Sequence, residues 1–546
     1  MHFPLRFWRS SLLSLLINST LAAAAPALLE VKTDLGAVRG TVRNGVLEFR
    51  GIPFAASPSG ERRWTPPAPA TPWEGVRDAS EFGPGCPQVA RYGLTDGSDV
   101  EDCLSINVSL PKDTKPKAKL PVIAWIHGGA FWGGASNLYR LDALTQRGVI
   151  VVSFNYRLGA FGFMPHPSFD AKDNGAYGLE DQRAALQWVQ RNIAAFGGDP
   201  SNITVAGESA GAGSICEHLA HPEHTEGLFQ KAMLLSAGCL HDLPTVSKLQ
   251  ALGTTVAESV GCKDPATALS CLRKASLQSL LDASAKAAGS AVLAFAPSNG
   301  SEATPRSFAE AIQTGKILKV PVLMGGTRDE LRLYVGYSQQ AGEKVTAENF
   351  TEFLRKTYES SDKEKAQKNL EKITQEYPVK GVTDLPAYFG SIESDYHPHV
   401  GINNCLYLHS AEKYSKYAKV YAFEFADPDA LNLGVSIPAQ PDPGMALGAV
   451  HSSELTYFFP NMSNTSRIDA PNLTPPAQAL ADQMQSFWVS FAKKGVPSSA
   501  KAPAWPLYKG GSTVMLQYPG KVGPYDASRQ HHCEFWKTLY PEKLGS

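Results

Sequence analysis

The amino-acid sequence predicts an α/β protein: an open, mostly parallel central sheet with helices on both faces and large insertions. Three observations carry this. From residue 122 onward, short apolar runs alternate with segments of helical spacing. The runs are apolar throughout, as strands covered on both faces require. No polar stretch is long enough to separate two domains, so residues 26–546 read as one domain.

The elements follow in order. The N-terminal third alternates short β-branched runs with turns, and the Pro- and Gly-rich stretch 53–84 reads as irregular surface. Residues 111–119 form a charged loop with two prolines. Apolar runs at 122–126 and 148–154 read as buried strands. The spacing of Leu186, Val189, Ile193 and Phe196 puts one apolar side on a helix over 179–196. Later strands are expected at 203–206, 320–324, 420–425 and 514–518.

Composition narrows the partners. The 546 residues carry a formal net charge of −1, which offers no electrostatic reason to bind nucleic acid. No apolar run reaches the roughly 20 residues that span a bilayer, so no stable membrane insertion is expected. Residues 1–25 read as a secretory signal: Arg6 and Arg9 precede an apolar stretch, and Ala22 to Ala25 offer small-residue cleavage sites. The protein is therefore expected to be secreted. Its 8 cysteines suit an oxidising compartment, although spacing alone cannot fix their pairing. Asn-x-Ser/Thr triplets at Asn107, Asn202, Asn299, Asn349, Asn461, Asn464 and Asn472 are candidate glycosylation sites.

Two motifs carry chemistry. Gly207-Glu208-Ser209-Ala210-Gly211 fits G-x-S-x-G, after a β-branched run and before small residues. That is the strand–sharp turn–helix setting in which a strained serine is lifted out of a sheet. The helix that follows aims its first amides at the same spot and favours negative charge there. An incidental serine in a glycine-rich turn is the plainer alternative. The second motif reduces that alternative. His127-Gly128-Gly129-Ala130-Phe131 follows the run 122–126 and matches a loop that offers backbone amides to an oxyanion. Gly129, Ala130 and the amide of Ala210 are the candidate oxyanion donors.

These segments resemble the type-B carboxylesterase family, which includes cholinesterases and fungal lipases. The resemblance extends to Gly51-Ile52-Pro53-Phe54-Ala55, Glu101-Asp102-Cys103-Leu104, Asn155-Tyr156-Arg157-Leu158-Gly159-Ala160-Phe161-Gly162-Phe163, and Asp181-Gln182-Arg183 through Phe196-Gly197-Gly198-Asp199-Pro200 to Gly211. It implies the α/β-hydrolase fold and a serine esterase whose catalytic groups run nucleophile, acid, histidine along the chain. Ser209 is then the nucleophile.

Of the histidines late in the chain, His397, His399, His409, His451, His531 and His532, only His451 sits in a segment like the family's histidine loop, Gly448-Ala449-Val450-His451-Ser452-Ser453-Glu454. The residues themselves leave Asp329 or Glu330 as the acid. The family's pattern selects Glu330, and leaves Asp329 as a surface acid capping a helix. The resemblance further implies that Glu208 and Ser236 support His451. It implies ion pairs Arg63–Glu101 and Arg157–Asp181, and disulfides Cys86–Cys103, Cys262–Cys271 and Cys405–Cys533. Cys216 and Cys239 have no partner in that scheme; they pair together or remain buried thiols.

Departures from the family refine the expected substrate. The Cys86–Cys103 loop is short and has no Trp. Cholinesterases carry a longer loop there with a choline-stacking Trp, so the loss of that cation–π site argues against choline esters. The same loop is the lid in related lipases, and a short one argues against an interfacial lipase. Phe131 and Trp132 suggest an aromatic pocket wall. The expected activity is hydrolysis of soluble carboxylic esters through an acyl-enzyme, with a small-molecule ester as partner and no cofactor or metal. The alternatives are a lipase-like hydrolase of longer acyl esters, or a non-catalytic adhesion homologue on the same scaffold. Oligomeric state stays open.

Overall fold

The computed structural model describes residues 28–90, 97–289, 291, 293–431, 442–460, 462 and 472–545. The expected signal segment lies outside these residues, as do Asn461, Asn464 and part of the Cys86–Cys103 loop.

The N-terminal segment holds β1 (Glu30–Lys32), β2 (Ala37–Arg39), β3 (Thr41–Arg43), the longer β4 (Val46–Pro53) and β5 (Val76–Asp78). Then come β6 (Ser105–Pro111), β7 (Leu120–Ile126), β8 (Ile150–Phe154) and β9 (Gly198–Glu208). The second half supplies β10 (Lys231–Leu235), β11 (Val322–Thr327), β12 (Val420–Phe425) and the closing hairpin β13 (Val514–Tyr518) and β14 (Lys521–Tyr525). β1, β2 and β5 make a small separate sheet. The other strands form an 11-stranded sheet in the order β14-β13-β12-β11-β10-β9-β7-β8-β6-β4-β3. From β13 to β8 all neighbours run parallel, and antiparallel strands occupy both edges.

The two-residue period of a strand divides the core between the two faces of this sheet. On β7, Val122, Ala124 and Ile126 join one cluster while Ile123 and Trp125 join the other. On β10, Ala232 and Leu234 alternate with Met233 and Leu235 in the same way. Helices Tyr177–Asn192 and Ala210–Ala220 cover the first face. Helix Pro475–Lys494 covers the second with Leu480, Met484, Trp488 and Phe491. A third cluster, Phe350, Leu354, Tyr358, Ile373, Phe389, Ile392 and Trp536 among others, unites the helices inserted between β11 and β12 with the C-terminal helix Cys533–Leu539.

Most expected strands appear with shifted ends. The run at 203–206 belongs to a strand extending in both directions as β9, and β11 starts two residues later than the apolar run at 320–324. β10 was not anticipated: Lys-Ala-Met-Leu-Leu has no β-branched residue, and only its place between β9 and β11 makes it a strand. The stretch 53–84 is largely irregular but contains β5. Four disulfides close: Cys86–Cys103, Cys216–Cys239, Cys262–Cys271 and Cys405–Cys533. Cys216 and Cys239 thus pair with each other. Two glycosylation candidates fail on burial. Asn107 is 1% exposed, and its side chain bonds Ser136, Ser153 and the Gly51 N–H; Asn299 is also buried.

Candidate active site

β9 runs along the sheet to Glu208, and helix Ala210–Ala220 departs at once. The single residue between them, Ser209, has φ 55° and ψ −122°, a strained conformation for a residue with a side chain. Two glycines permit the turn through close approach. A Cβ on Gly211 would lie 2.1 Å from the Ile126 carbonyl oxygen, and one on Gly207 would lie 2.7 Å from the Gly211 backbone. The Ser209 N–H is tied to the Leu235 carbonyl at the end of β10 (2.9 Å). Its hydroxyl is left standing above the sheet.

The 127–131 loop abuts this turn. A Cβ on Gly128 would lie 2.7 Å from Glu208 Oε2 and 3.1 Å from Ser209 Cβ, so only glycine lets the loop pass. Ala130 and Phe131 both take positive φ (54° and 62°). The amides of Gly129, Ala130 and Ala210 donate to no protein group among the described residues. His127 holds the loop and does not face the chemistry: it is buried against Tyr156, with ring centroids 4.4 Å apart. Burial pushes its pKa down to about 4, against the opposing pull of its hydrogen bond to the Gly128 carbonyl.

His451 closes on Ser209 from the far side of the sheet order. Its Nε2 lies 2.9 Å from Ser209 Oγ, and its Nδ1 lies 2.6 Å from Glu330 Oε2. Glu330, just past β11, is fully buried and accepts the Thr327 N–H (2.9 Å) and the Tyr407 hydroxyl (2.9 Å) on its other oxygen. The structure therefore brings Ser209, His451 and Glu330 together. Glu208 Oε1 stands 3.3 Å from His451 Nε2 and accepts the Ser452 hydroxyl (2.5 Å). The Ser236 hydroxyl serves the carboxylates behind His451: it hydrogen-bonds Glu330 and reaches Glu454 at 3.5 Å. Asp329 departs from expectation: it is buried, not a surface cap. It accepts the Ala449 N–H (3.0 Å), pairs with Arg328 and Arg332, and so staples the histidine loop.

The sequence profile of the carboxylesterase family matches residues 27–536. The chain belongs to the carboxylesterase family. Among its relatives, para-nitrobenzyl esterase of Bacillus subtilis is 36% identical, over 88% of this chain and 92% of that protein. Fumonisin B1 esterase of Sphingopyxis macrogoltabida is 34% identical (90% and 86%). Acetylcholinesterase of Bungarus fasciatus is 31% identical (95% and 87%). A solved thermophilic PNB esterase superposes with a TM-score of 0.74 at 32% identity, covering 92% of this chain and 99% of its own. This carboxylesterase is accordingly a carboxylic ester hydrolase with the α/β-hydrolase fold.

The charges around the carboxylesterase's histidine are arranged to favour imidazolium. Burial alone would lower the His451 pKa; the carboxylates of Glu208 and Glu330 overcome it and raise it to about 9. Burial likewise pushes Glu330 up, but the His451 charge and hydrogen bonds from His451, Ser236 and the Thr327 N–H hold it below the usual carboxylate range. Glu454 goes the other way: burial and the charges of Glu208 and Glu330 drive it well above the usual carboxylate range. The ion pairs implied by resemblance are present as scaffold. Arg157 holds Asp181 at 2.7 and 2.8 Å, and Arg63 holds Glu101 at 2.5 and 2.7 Å.

A cavity of about 730 Å³ opens over Ser209, bordered by Ala130, Phe131, Ala210, Leu331 and Tyr334 near the hydroxyl. Phe131 is in its wall, but Trp132 packs instead on Phe295, with ring centroids 5.2 Å apart. Sequence reasoning missed Tyr407 and the role of Glu454. Tyr407 lies in helix Asn404–Tyr414 with no motif around it; Glu454 lies three residues beyond His451, an offset the histidine loop already displayed. Among the described residues no group of three or more His, Cys, Asp or Glu side chains is placed to hold a metal ion.

Proposed function

We propose that Ser209 is the nucleophile, His451 the general base and Glu330 its orienting acid. Ser209 Oγ attacks the ester carbonyl while His451 Nε2 takes its proton. Glu330 fixes the Nδ1–H tautomer and stabilises the imidazolium; the proton then passes to the leaving alcohol. The oxyanion meets the amides of Gly129, Ala130 and Ala210, each such donor worth roughly 3–4 kcal/mol of barrier. Water repeats the cycle on the acyl-enzyme. The observation that carries this reading is the unbroken chain Glu330–His451–Ser209, at 2.6 and 2.9 Å. Ser209→Ala is expected to lower kcat on p-nitrophenyl acetate and butyrate by roughly 10⁵- to 10⁶-fold. Retained turnover in that variant would refute the assignment.

The substrates are soluble esters of modest size. The cavity falls within the roughly 300–1,000 Å³ typical of small-molecule sites. The relatives' names point to chemically unlike esters, so a panel varying acyl length and leaving group is the means to rank them.

We also infer that residues 1–25 are removed on secretion and that the remainder folds as one unit. Four closed disulfides support an oxidising destination. N-terminal sequencing of the exported protein is expected to begin near residue 26. In a glycosylating host, peptide mapping is expected to find no glycan at buried Asn107.

A further inference from the structure

The helix that begins after Ser209 carries a carboxyl that ester hydrolysis does not use. Ser209, Gly213, Cys216 and Glu217 all border the cavity, since spacings of four, seven and eight residues share one helical face. Glu217 is only 2% exposed, and its buried Oε2 has no hydrogen-bond partner among the described residues. Its charged neighbours do not satisfy it. Arg183 Nη2 donates to the Ala303 carbonyl (2.9 Å). His221 Nδ1 stands 3.9 Å from Glu217 Oε2 and bonds the Glu217 backbone carbonyl at 2.7 Å instead. A buried carboxyl oxygen without a partner is costly to keep. Burial raises its pKa to about 8 against the Arg183 charge, which favours the neutral acid, a form that can both donate and accept.

We infer that Glu217 is a specificity-determining residue that hydrogen-bonds a hydroxyl group on the ester, remote from the reacting carbonyl. Eight residues of helix rise about 12 Å, and the side chain leans back toward Ser209, which places the recognised hydroxyl roughly 8–10 Å from the nucleophile. The wall between is apolar. The Phe131 ring lies over Gly213, where an added Cβ would come within 3.5 Å of it, and the Cys216–Cys239 disulfide continues the surface. The fitting substrate has an apolar spacer, aromatic or short alkyl, ending in a hydroxyl. A cationic end group is disfavoured by the nearby Arg183.

The inference rests on the esterase reading, and its test separates the two. Fluorophosphonate titration counts active sites. kcat/KM per site is then measured for methyl 4-hydroxycinnamate against methyl cinnamate, and methyl 6-hydroxyhexanoate against methyl hexanoate. The wild type is expected to favour the hydroxylated member of at least one pair by about tenfold or more. That ratio should fall to about one in Glu217→Leu and in the near-isosteric Glu217→Met, and survive in part in Glu217→Gln, with thermal melts showing which variants are folded. A wild-type ratio near one for both pairs, or one unchanged in a folded apolar variant, overturns the anchor. An unlabelled wild type strikes the esterase reading itself.

Discussion

Of the ten described residues other than glycine with positive φ, five lie around the candidate site: Ala130, Phe131, Ser209, Ser236 and Ser452. Such conformations persist where their surroundings over-determine them, and here they bring a hydroxyl and an amide loop beside one histidine and set two serines on the carboxylates around it. The carboxylates around His451 set its pH behaviour. In the proposed role of base His451 works only when neutral, so raising its pKa to about 9 is expected to place the acid limb of kcat/KM above the ordinary histidine range, with activity rising into alkaline pH. Glu208→Gln removes one of the charges responsible. The limb is expected to move to lower pH, and a pH–rate profile that stays in place would deny Glu208 that role. Glu330→Gln keeps the shape but loses the charge, and kcat is expected to fall by about 10³- to 10⁴-fold. Ser209, Glu330 and His451 were legible because each lies in a local motif or a segment resembling the family's. Tyr407 and the stapling of the histidine loop by Asp329 were not, because those contacts join segments far apart in the chain.

Among elements, the β9–turn–helix unit bears the tightest constraint. Gly211→Ala would press a methyl into the Ile126 carbonyl on β7, a backbone atom that cannot move without opening the sheet. The expected cost is about 3 kcal/mol or more, read as a fall in the denaturation midpoint. The strands around this unit were readable to different degrees for a physical reason. β7 and β8 are rich in β-branched residues and match their apolar runs closely. β10 is built of good helix formers and becomes a strand only because β9 and β11 offer it two ladders, a fact no local pattern contains. β9 outruns its apolar segment because pairing resumes at Gly198, opposite Leu120, beyond an irregularity that takes in residues 199–202.

At the scale of the molecule, the inserted helices between β11 and β12 make a core of their own, tied to the sheet and to the C-terminus. Fold class was legible from alternating strands and helices; this third core was not, since its apolar residues lie on separate amphipathic helices that reveal no common partner. Cys405–Cys533 closes a span of 128 residues across it. Its removal by paired Cys→Ser changes is expected to cost about 3–5 kcal/mol and lower Tm. His531 binds the same junction, with Nδ1 2.6 Å from Asp395 and Nε2 2.6 Å from Glu424 on β12. Burial would lower its pKa, but Glu424 and Asp395 raise it to about 10. The folded state thus holds this proton more tightly. Its stabilisation is complete below pH 6.5 and lost as pH rises toward 10, so His531→Gln should flatten the stability–pH curve over that window. The central claim concerns one atom, and peptide mapping after fluorophosphonate treatment addresses it most directly. The account predicts a single stoichiometric adduct on Ser209, absent from Ser209→Ala. An adduct on another residue, or ester turnover that survives with Ser209 unlabelled, would contradict it.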